Sequence, residues 1–263
     1  MRFSLKESFN QHSKIYGARV RNRKKYPKLT LEDQIIAQFL KHNWYDDKKG
    51  TLIDAGCGTG DRLQLFFSEQ KLPSQWFNEI IGLDYSPGML ELAKKQQLNN
   101  KPLYTNTQLI NLEKNTLGFK GSLVLMLWTI INSSGKNAPK LLSQIAGAVS
   151  KNGYLIYDGQ TTSVRSYKIA QPTILHSHPE LKPQNDDQIF WYKREDDNTI
   201  GYLKLFSPRE FSNLAKATKL PLKEVWGYKE SDLIPHQILL ENGAMNENQV
   251  AQFTNIIVIH QNS

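Results

Sequence analysis

The residues best suited to chemistry sit in one short stretch: Gly56, Cys57, Gly58, Thr59 and Gly60, between the apolar run 51–55 and Asp61. Glycine at alternate positions frees the backbone for positive φ and lets amide groups approach a ligand closely. Alone, the three glycines would also suit a plain tight turn. Where such a loop joins a strand to a helix, it can hold a phosphate, a dinucleotide or another nucleoside cofactor. A P-loop ends in Gly-Lys-Ser/Thr, whereas this one ends in Gly60-Asp61-Arg62. The dinucleotide fingerprint requires a glycine at the sixth position from Gly56, and that position is Asp61. An acid there also repels a pyrophosphate. A second acid, Asp84, ends the apolar run 79–83. At the carboxyl end of a second parallel strand it is placed to accept both hydroxyls of a ribose.

Cys57 is the only cysteine. Inside the glycine loop it reads as a small packed residue rather than a nucleophile. No internal disulfide and no multi-cysteine zinc site is possible, so a reducing cytoplasm is expected. Candidate proton acceptors are His176, His178 and His236, each of which also suits an exposed loop.

The elements that position these groups follow from periodicity. Runs 51–55, 79–83, 103–107, 122–128 and 154–158 read as strands, with helices over 61–71, 87–98 and 138–149 between them. Ser86-Pro87 is an N-cap followed by proline at the first helical position. Thr30 with Asp33 reads as a capping box opening an amphipathic helix over 31–44. Alternating strands and helices specify a doubly wound α/β sheet. After Gly159 the pattern breaks. Residues 160–206 read as an insertion holding a hairpin, 188–193 with 199–206, joined by the acidic turn 195–198. Ser207 opens another capped helix, and 223–228 and 254–260 are two last strands.

Residues 54–60 and 82–90, Asp-Ala-Gly-Cys-Gly-Thr-Gly and Gly-Leu-Asp-Tyr-Ser-Pro-Gly-Met-Leu, resemble the first two motifs of the class I S-adenosylmethionine-dependent methyltransferases. The resemblance covers roughly residues 30–160. It implies a seven-stranded, mostly parallel sheet with helices on both faces and a reversed last strand. It also implies S-adenosylmethionine as cofactor, leaving as S-adenosylhomocysteine. Carried onto this chain, Gly56, Cys57, Gly58 and Gly60 would line the methionine part, with Asp54 anchoring that end. Asp84 would hold the ribose, and Tyr85 and Met89 would pack near the adenine. Asn111-Leu112 falls where the family often has an acid and an apolar residue reading the adenine edge, and Leu127 would complete the cofactor wall. Ser122 opens the fourth strand where the metal-dependent members need acids, so no metal is expected.

The acceptor should be met by what lies outside the common core: Tyr16 and Arg19 in the N-terminal segment, with Phe9 and His12; Trp128 and Asn132 after strand four; Trp191 and Tyr192 in the insertion. The Asp/Asn-Pro-Pro-aromatic signature of adenine-N6 and cytosine-N4 enzymes is absent after strand four, where Leu127–Asn132 stand. Transfer of a methyl group from a sulfonium is an in-line displacement governed by proximity and alignment. A small-molecule nitrogen or oxygen acceptor is therefore expected.

Charge bears on the alternative. The chain has 33 basic and 25 acidic residues among 263, a net charge of +8. Seven of the basic residues (Lys14, Arg19, Arg21, Arg23, Lys24, Lys25 and Lys28) lie between Ser8 and Leu31, with no acid among them. The rest of the chain is nearly neutral. Residues 1–29 thus form either a lid over the cofactor or an arm for an anionic partner, ahead of a single domain over 30–263. An RNA-modifying enzyme using that arm, with Tyr16 and Tyr26 stacking on bases, is the alternative; a cofactor-binding protein without turnover is another. The longest apolar run, 123–131, is too short for the roughly 20 residues of a spanning helix.

Overall fold

The computed structural model describes residues 5–22, 24, 27–44, 49–128, 130–164, 176, 188–194, 200–229 and 231–263. In the central α/β unit, β1 (Gly50–Ala55), β2 (Phe77–Asp84), β3 (Asn106–Leu109), β4 (Gly121–Met126) and β5 (Val149–Gln160) run parallel. Helices α3 (Asp61–Gln70), α4 (Pro87–Ala93), α5 (Ile130–Ser134) and α6 (Ala138–Ala146) lie between them. After an insertion come α7 (Pro208–Ala217), β8 (Leu222–Tyr228) and β9 (Asn255–Gln261). The sheet order is β3-β2-β1-β4-β5-β9-β8, extended at the β8 edge by a two-residue ladder at His236–Gln237. Strand β9 is antiparallel to both neighbours. The expected doubly wound sheet with a reversed last strand is therefore present, with that short eighth strand added.

The sequence explains the layering. Strand β4 is apolar and buried along most of its length, so both faces need cover. One face packs against α6 and α7 through Leu141, Leu142, Ile145, Phe211 and Leu214. The other packs against α2 (Pro27–Asn43), α3 and α4 through Ile36, Phe39, Leu40, Phe66, Phe67 and Leu90. The chain runs outward from β1 to β3, then crosses back to β4 beside β1. That reversal opens a crevice at the carboxyl ends of β1 and β4, the usual ligand position in such sheets.

Three local expectations need correction. Helix α2 begins at Pro27, so Thr30 lies within it and caps nothing. Asp33 is instead fully buried and accepts from Arg62 Nε at 3.2 Å. Helix α4 stops at Ala93 rather than near 98, because Gln97–Leu98 pairs back on Lys101–Pro102 through left-handed Asn99 and Asn100. Two successive positive-φ residues make the tight hairpin turn that asparagine tolerates. The third strand is Asn106–Leu109, which leaves Leu103 in the core and Tyr104 packed against Gly60 of the glycine loop.

The two remaining parts form the cover. Helix α1 (Leu5–Arg21) crosses the carboxyl edge of the sheet and contacts α3, α4 and the insertion. The insertion's hairpin is β6 (Ile189–Lys193) paired antiparallel with β7 (Ile200–Lys204). The acidic turn 195–198 lies outside the described residues. No described helix is long and apolar enough to cross a membrane.

Candidate functional site

Register brings the two motifs together. Asp54 of β1 stands opposite Gly82 of β2, and Ala55 opposite Leu83. Beyond the strands, Gly56 and Cys57 N–H both donate to the Leu83 carbonyl, at 2.7 and 2.9 Å. Gly56, Gly58 and Gly60 take φ of 79°, 55° and 77°, a region that side chains with a Cβ rarely occupy. Space demands glycine too. A Cβ on Gly56 would stand 2.2 Å from Ile130 Cδ1, and one on Gly58 would stand 3.1 Å from the Tyr16 ring.

Asp84 fastens the loop. Its Oδ2 accepts from Gly58 N–H at 2.9 Å and its Oδ1 from Ser86 N–H at 2.8 Å. Burial raises its pKa, while the amides of Ser86, Gly58 and Tyr85 pull it back. A carboxylate has about four acceptor sites, so these amides leave Asp84 capacity for a ligand hydroxyl. Below the loop, Tyr104 O–H donates to Asp54 Oδ2 at 2.7 Å. Burial pushes the Asp54 carboxyl up to about 6, opposed by that hydrogen bond and by the charge of Arg62.

One cavity of about 360 Å³ opens above this loop. Its sheet side is lined by Gly56, Gly58, Asp84, Met89, Asn111 and Leu112, and its far side by residues of the cover. Helix α1 contributes Phe9, His12 and Tyr16, which share a face at i, i+3 and i+7. Tyr16 packs on Trp128, with ring centroids 5.1 Å apart. Trp128 itself has φ 67°, an uncommon conformation for a bulky residue and one that concentrates at functional sites. The helix is held down at both ends. Asn10 Oδ1 accepts from Ser86 Oγ at 2.6 Å, and Arg21 pairs with Asp61. Gly17 permits the close seat, since a Cβ there would stand 2.3 Å from Asp61 Oδ2. Asp61, the residue that disfavours a pyrophosphate, thus accepts from Arg21 and, at 2.6 Å, from Thr59 Oγ1.

Many of the residues named from sequence meet in this cavity: Gly56, Gly58, Asp84, Tyr85, Met89, Asn111, Leu112, Leu127, Tyr16, Trp128 and Tyr192. Asp54 and Cys57 line a smaller cleft beside it, and Gly60 packs on Tyr104. Burial and the neighbouring Asp54 and Asp84 hold the Cys57 thiol well above its ordinary pKa, which keeps it protonated and inert. Asn132 is a correction. It is fully buried and spends its amide on the frame, donating to the Gln160 and Lys204 carbonyls at 2.9 and 2.6 Å and accepting from Gln160 N–H at 2.8 Å. Trp191 is another. Strand alternation turns Tyr192 and Arg194 to the cavity and Trp191 to the opposite face, against Tyr202 and Ile200. His176 is exposed, and His236 is exposed and stacks on Phe253 away from the cavity. His178 and Tyr26 lie outside the described residues. So does the side chain of Arg19, whose backbone belongs to α1.

Sequence reading missed Arg194, Tyr104 and Arg62. Arg194 was findable two residues beyond Tyr192 on the same strand face. Tyr104 and Arg62 carry no local signal, because tertiary contacts alone bring them to the loop. Arg62 is buried and donates from Nη2 to Glu32 Oε2 at 2.8 Å and to Asp33 Oδ1 at 3.1 Å.

The chain is similar to known proteins in family and fold. The family described as a methyltransferase domain matches residues 46–180. The chain is 36% identical over 92 residues to a malonyl-[acyl-carrier protein] O-methyltransferase of Priestia megaterium, covering 35% of this chain and 29% of that protein. It is 28% identical over 141 residues to a carboxy-S-adenosyl-L-methionine synthase of Trichodesmium erythraeum, covering 54% and 53%. The matches thus span about half or less of these relatives' length. Among solved structures, the fold resembles S-adenosylmethionine-bound CalS10, an amino pentose methyltransferase from Micromonospora echinaspora. The TM-score is 0.52, with 15% identity, 88% of this chain and 90% of that one covered.

The residues present fit such a cofactor. Gly56 and Gly58, with no room for a Cβ, bring the loop backbone to the cavity wall, Asp84 is an acceptor beside them, and Met89, Leu112 and Leu127 give an apolar bed. By motif, fold and family match, the chain belongs to the methyltransferase domain family, of the class I S-adenosylmethionine-dependent type.

Proposed function

We propose that this protein transfers a methyl group from S-adenosylmethionine to a nitrogen or oxygen of a small molecule. The observation that carries the reading is the single cavity shared by the glycine loop, Asp84 and an aromatic cover from α1 and the β6–β7 hairpin. The cofactor supplies an already activated methyl on a sulfonium. What remains for the chain is to bind, orient and exclude water.

In this reading Asp84 holds the ribose, Met89 and Leu112 bed the adenine, and the Gly56–Gly58 backbone lies along the methionine end. Tyr16 and Trp128 close over that end. Where the acceptor must lose a proton, His12 accepts it. It is buried, lines the cavity and sits edge-on to Tyr16 at 5.5 Å. This role passes from His176, which is exposed. A reducing, cytoplasmic setting belongs to the same reading, supported by the single buried thiol of Cys57.

The basic segment supports a lid rather than an RNA arm. Arg21 pairs with Asp61, and Lys28 lines the cavity. The sugar-modifying and acyl-carrier-modifying names of the similar proteins support a small or tethered acceptor. The test is thermal: saturating S-adenosylhomocysteine should raise Tm by about 5 °C or more, since a ligand bound only to the native state stabilises it. No shift at millimolar ligand would sink the reading. Radiolabelled methyl appearing in RNA rather than in small-molecule fractions would favour the alternative.

A further inference from the structure

Among the described residues, the charged groups on the cavity wall divide by side. The acids on its wall are Asp84, the last residue of β2, and Glu113, four residues beyond β3. Asp84 is bonded to the loop amides, and Glu113 Oε2 accepts from Asn137 Nδ2 at 3.1 Å. Among the described residues, the wall carries two cations, Arg194 from the cover and Lys28 from the start of α2, and the cover's described residues add no acid to it.

Arg194 is the built feature. Its residue is only 3% exposed, and placing a guanidinium so deep is costly unless the surroundings compensate it. Its Cζ stands 4.7 Å from the Phe9 ring centroid and 5.7 Å from that of Tyr192. Nη1 donates to Ser8 Oγ at 2.7 Å and to the Ile200 carbonyl at 3.3 Å, which fixes the group between helix and hairpin. Phe9 in turn meets Tyr85 edge-on at 5.8 Å. The Tyr85 hydroxyl feels both Arg194 and Tyr192. Two rings within 6 Å and the low exposure keep the guanidinium in an apolar setting, where a charge-assisted bond is strong.

Resting on the methyltransferase reading above, we propose that the cover half of the cavity selects an acceptor bearing a carboxylate or comparable anionic group, seated on Arg194 between Phe9 and Tyr192. Lys28 adds attraction at longer range. The anion is an anchor that orients the acceptor, and the methylated atom points toward the glycine loop. This separates the protein from enzymes whose acceptor is a protonated amino sugar, which two cavity cations would repel.

The experiment uses the full chain saturated with S-adenosylhomocysteine. Its own Tm shift is read first, so failure of the methyltransferase reading shows there as no shift. Calorimetric titrations then compare matched sets of acid, amide and amine built on phenyl, cyclohexyl and indolyl frames, phenylacetate, phenylacetamide and phenethylamine among them. The acids should bind at least about tenfold more tightly than their amides, and the amines should bind worst. Arg194→Met should erase the acid preference and Arg194→Lys should keep part of it, while the S-adenosylhomocysteine shift reports that each variant is folded. Equal binding of acid and amide, preference for amines, or no binding by any set at about 10 mM would overturn the proposal. The matched sets on the unaltered chain decide the matter even where a variant fails to fold.

Discussion

The two walls of the cavity are built in different ways. The sheet wall is local: three short stretches, 56–58, 84–89 and 110–113, supply most of it, and β-register sets the first two side by side. Its geometry is enforced by backbone, with positive-φ glycines and Asp84 clamping two amides. The cover wall is assembled from afar. Ser8 bonds to Ile200 and Arg194 across more than 180 residues, and Tyr16 meets Trp128. A backbone-built wall suits a ligand that never changes. A side-chain-built wall can be retuned to a new acceptor without disturbing the cofactor half.

The sharpest break of that contrast is Asp84→Ala. It removes the ribose acceptor and frees Gly58 and Ser86 N–H, so affinity for S-adenosylhomocysteine should fall about 100-fold or more. That follows from two charge-assisted bonds at roughly 1.5–3 kcal/mol each. Calorimetry checks it, and a loss below tenfold would remove Asp84 from the cofactor wall. Acidification should act in the same direction. With its pKa raised by burial, Asp84 takes up a proton sooner on acidification than an ordinary carboxyl would.

Asp54 tests the floor of the same wall. Its folded pKa of about 6 lies above the ordinary 3.8. Between those values the folded state binds more protons than the unfolded one, so stability falls as pH rises through this window. Asp54→Asn keeps an acceptor for Tyr104 but cannot titrate. The stability of the natural chain relative to this variant should therefore drop between about pH 4 and pH 6, by about 3 kcal/mol at most. Denaturant melts across that range measure it, and a flat difference would show that the carboxyl is not perturbed.

How far each wall was legible follows from the same difference. The glycine loop, Asp84 and the Ser86-Pro87 cap announce themselves because each acts through its own neighbours in sequence. The hairpin at 189–204 showed as alternating apolar residues. What alternation could not show was which face meets the cavity, so Trp191 was named beside Tyr192, and Arg194, on the same face as Tyr192, was not. Asn132 failed for a related reason. A polar residue after strand four suggests a ligand contact, yet here three backbone groups of β5 and β7 consume it. The basic count in residues 14–28 concealed that Arg21 had a partner 40 residues away.

Asn132 yields the third test. Asn132→Ala removes three hydrogen bonds from buried backbone groups, at roughly 1–3 kcal/mol. Tm should fall by about 3–9 °C, with S-adenosylhomocysteine affinity little changed because Asn132 does not line the cavity. A variant of unaltered stability and weakened ligand binding would return Asn132 to the site.

The smallest effect belongs to the seam where the two walls meet. Tyr16 lies over Gly58 and against Trp128, so it belongs to the cover yet touches the loop. Tyr16→Ala should weaken S-adenosylhomocysteine binding by about tenfold, the worth of an aromatic contact plus lost burial. Tyr16→Phe keeps the ring and should restore binding to within about twofold. The dissociation rate should carry the change, because a lid removed speeds departure more than it slows arrival. Were Tyr16→Ala to leave both affinity and dissociation rate unchanged, α1 would be a fixed strut beside the cofactor wall rather than its closure. The division between a fixed cofactor half and an adaptable cover would then have to be drawn at the hairpin alone.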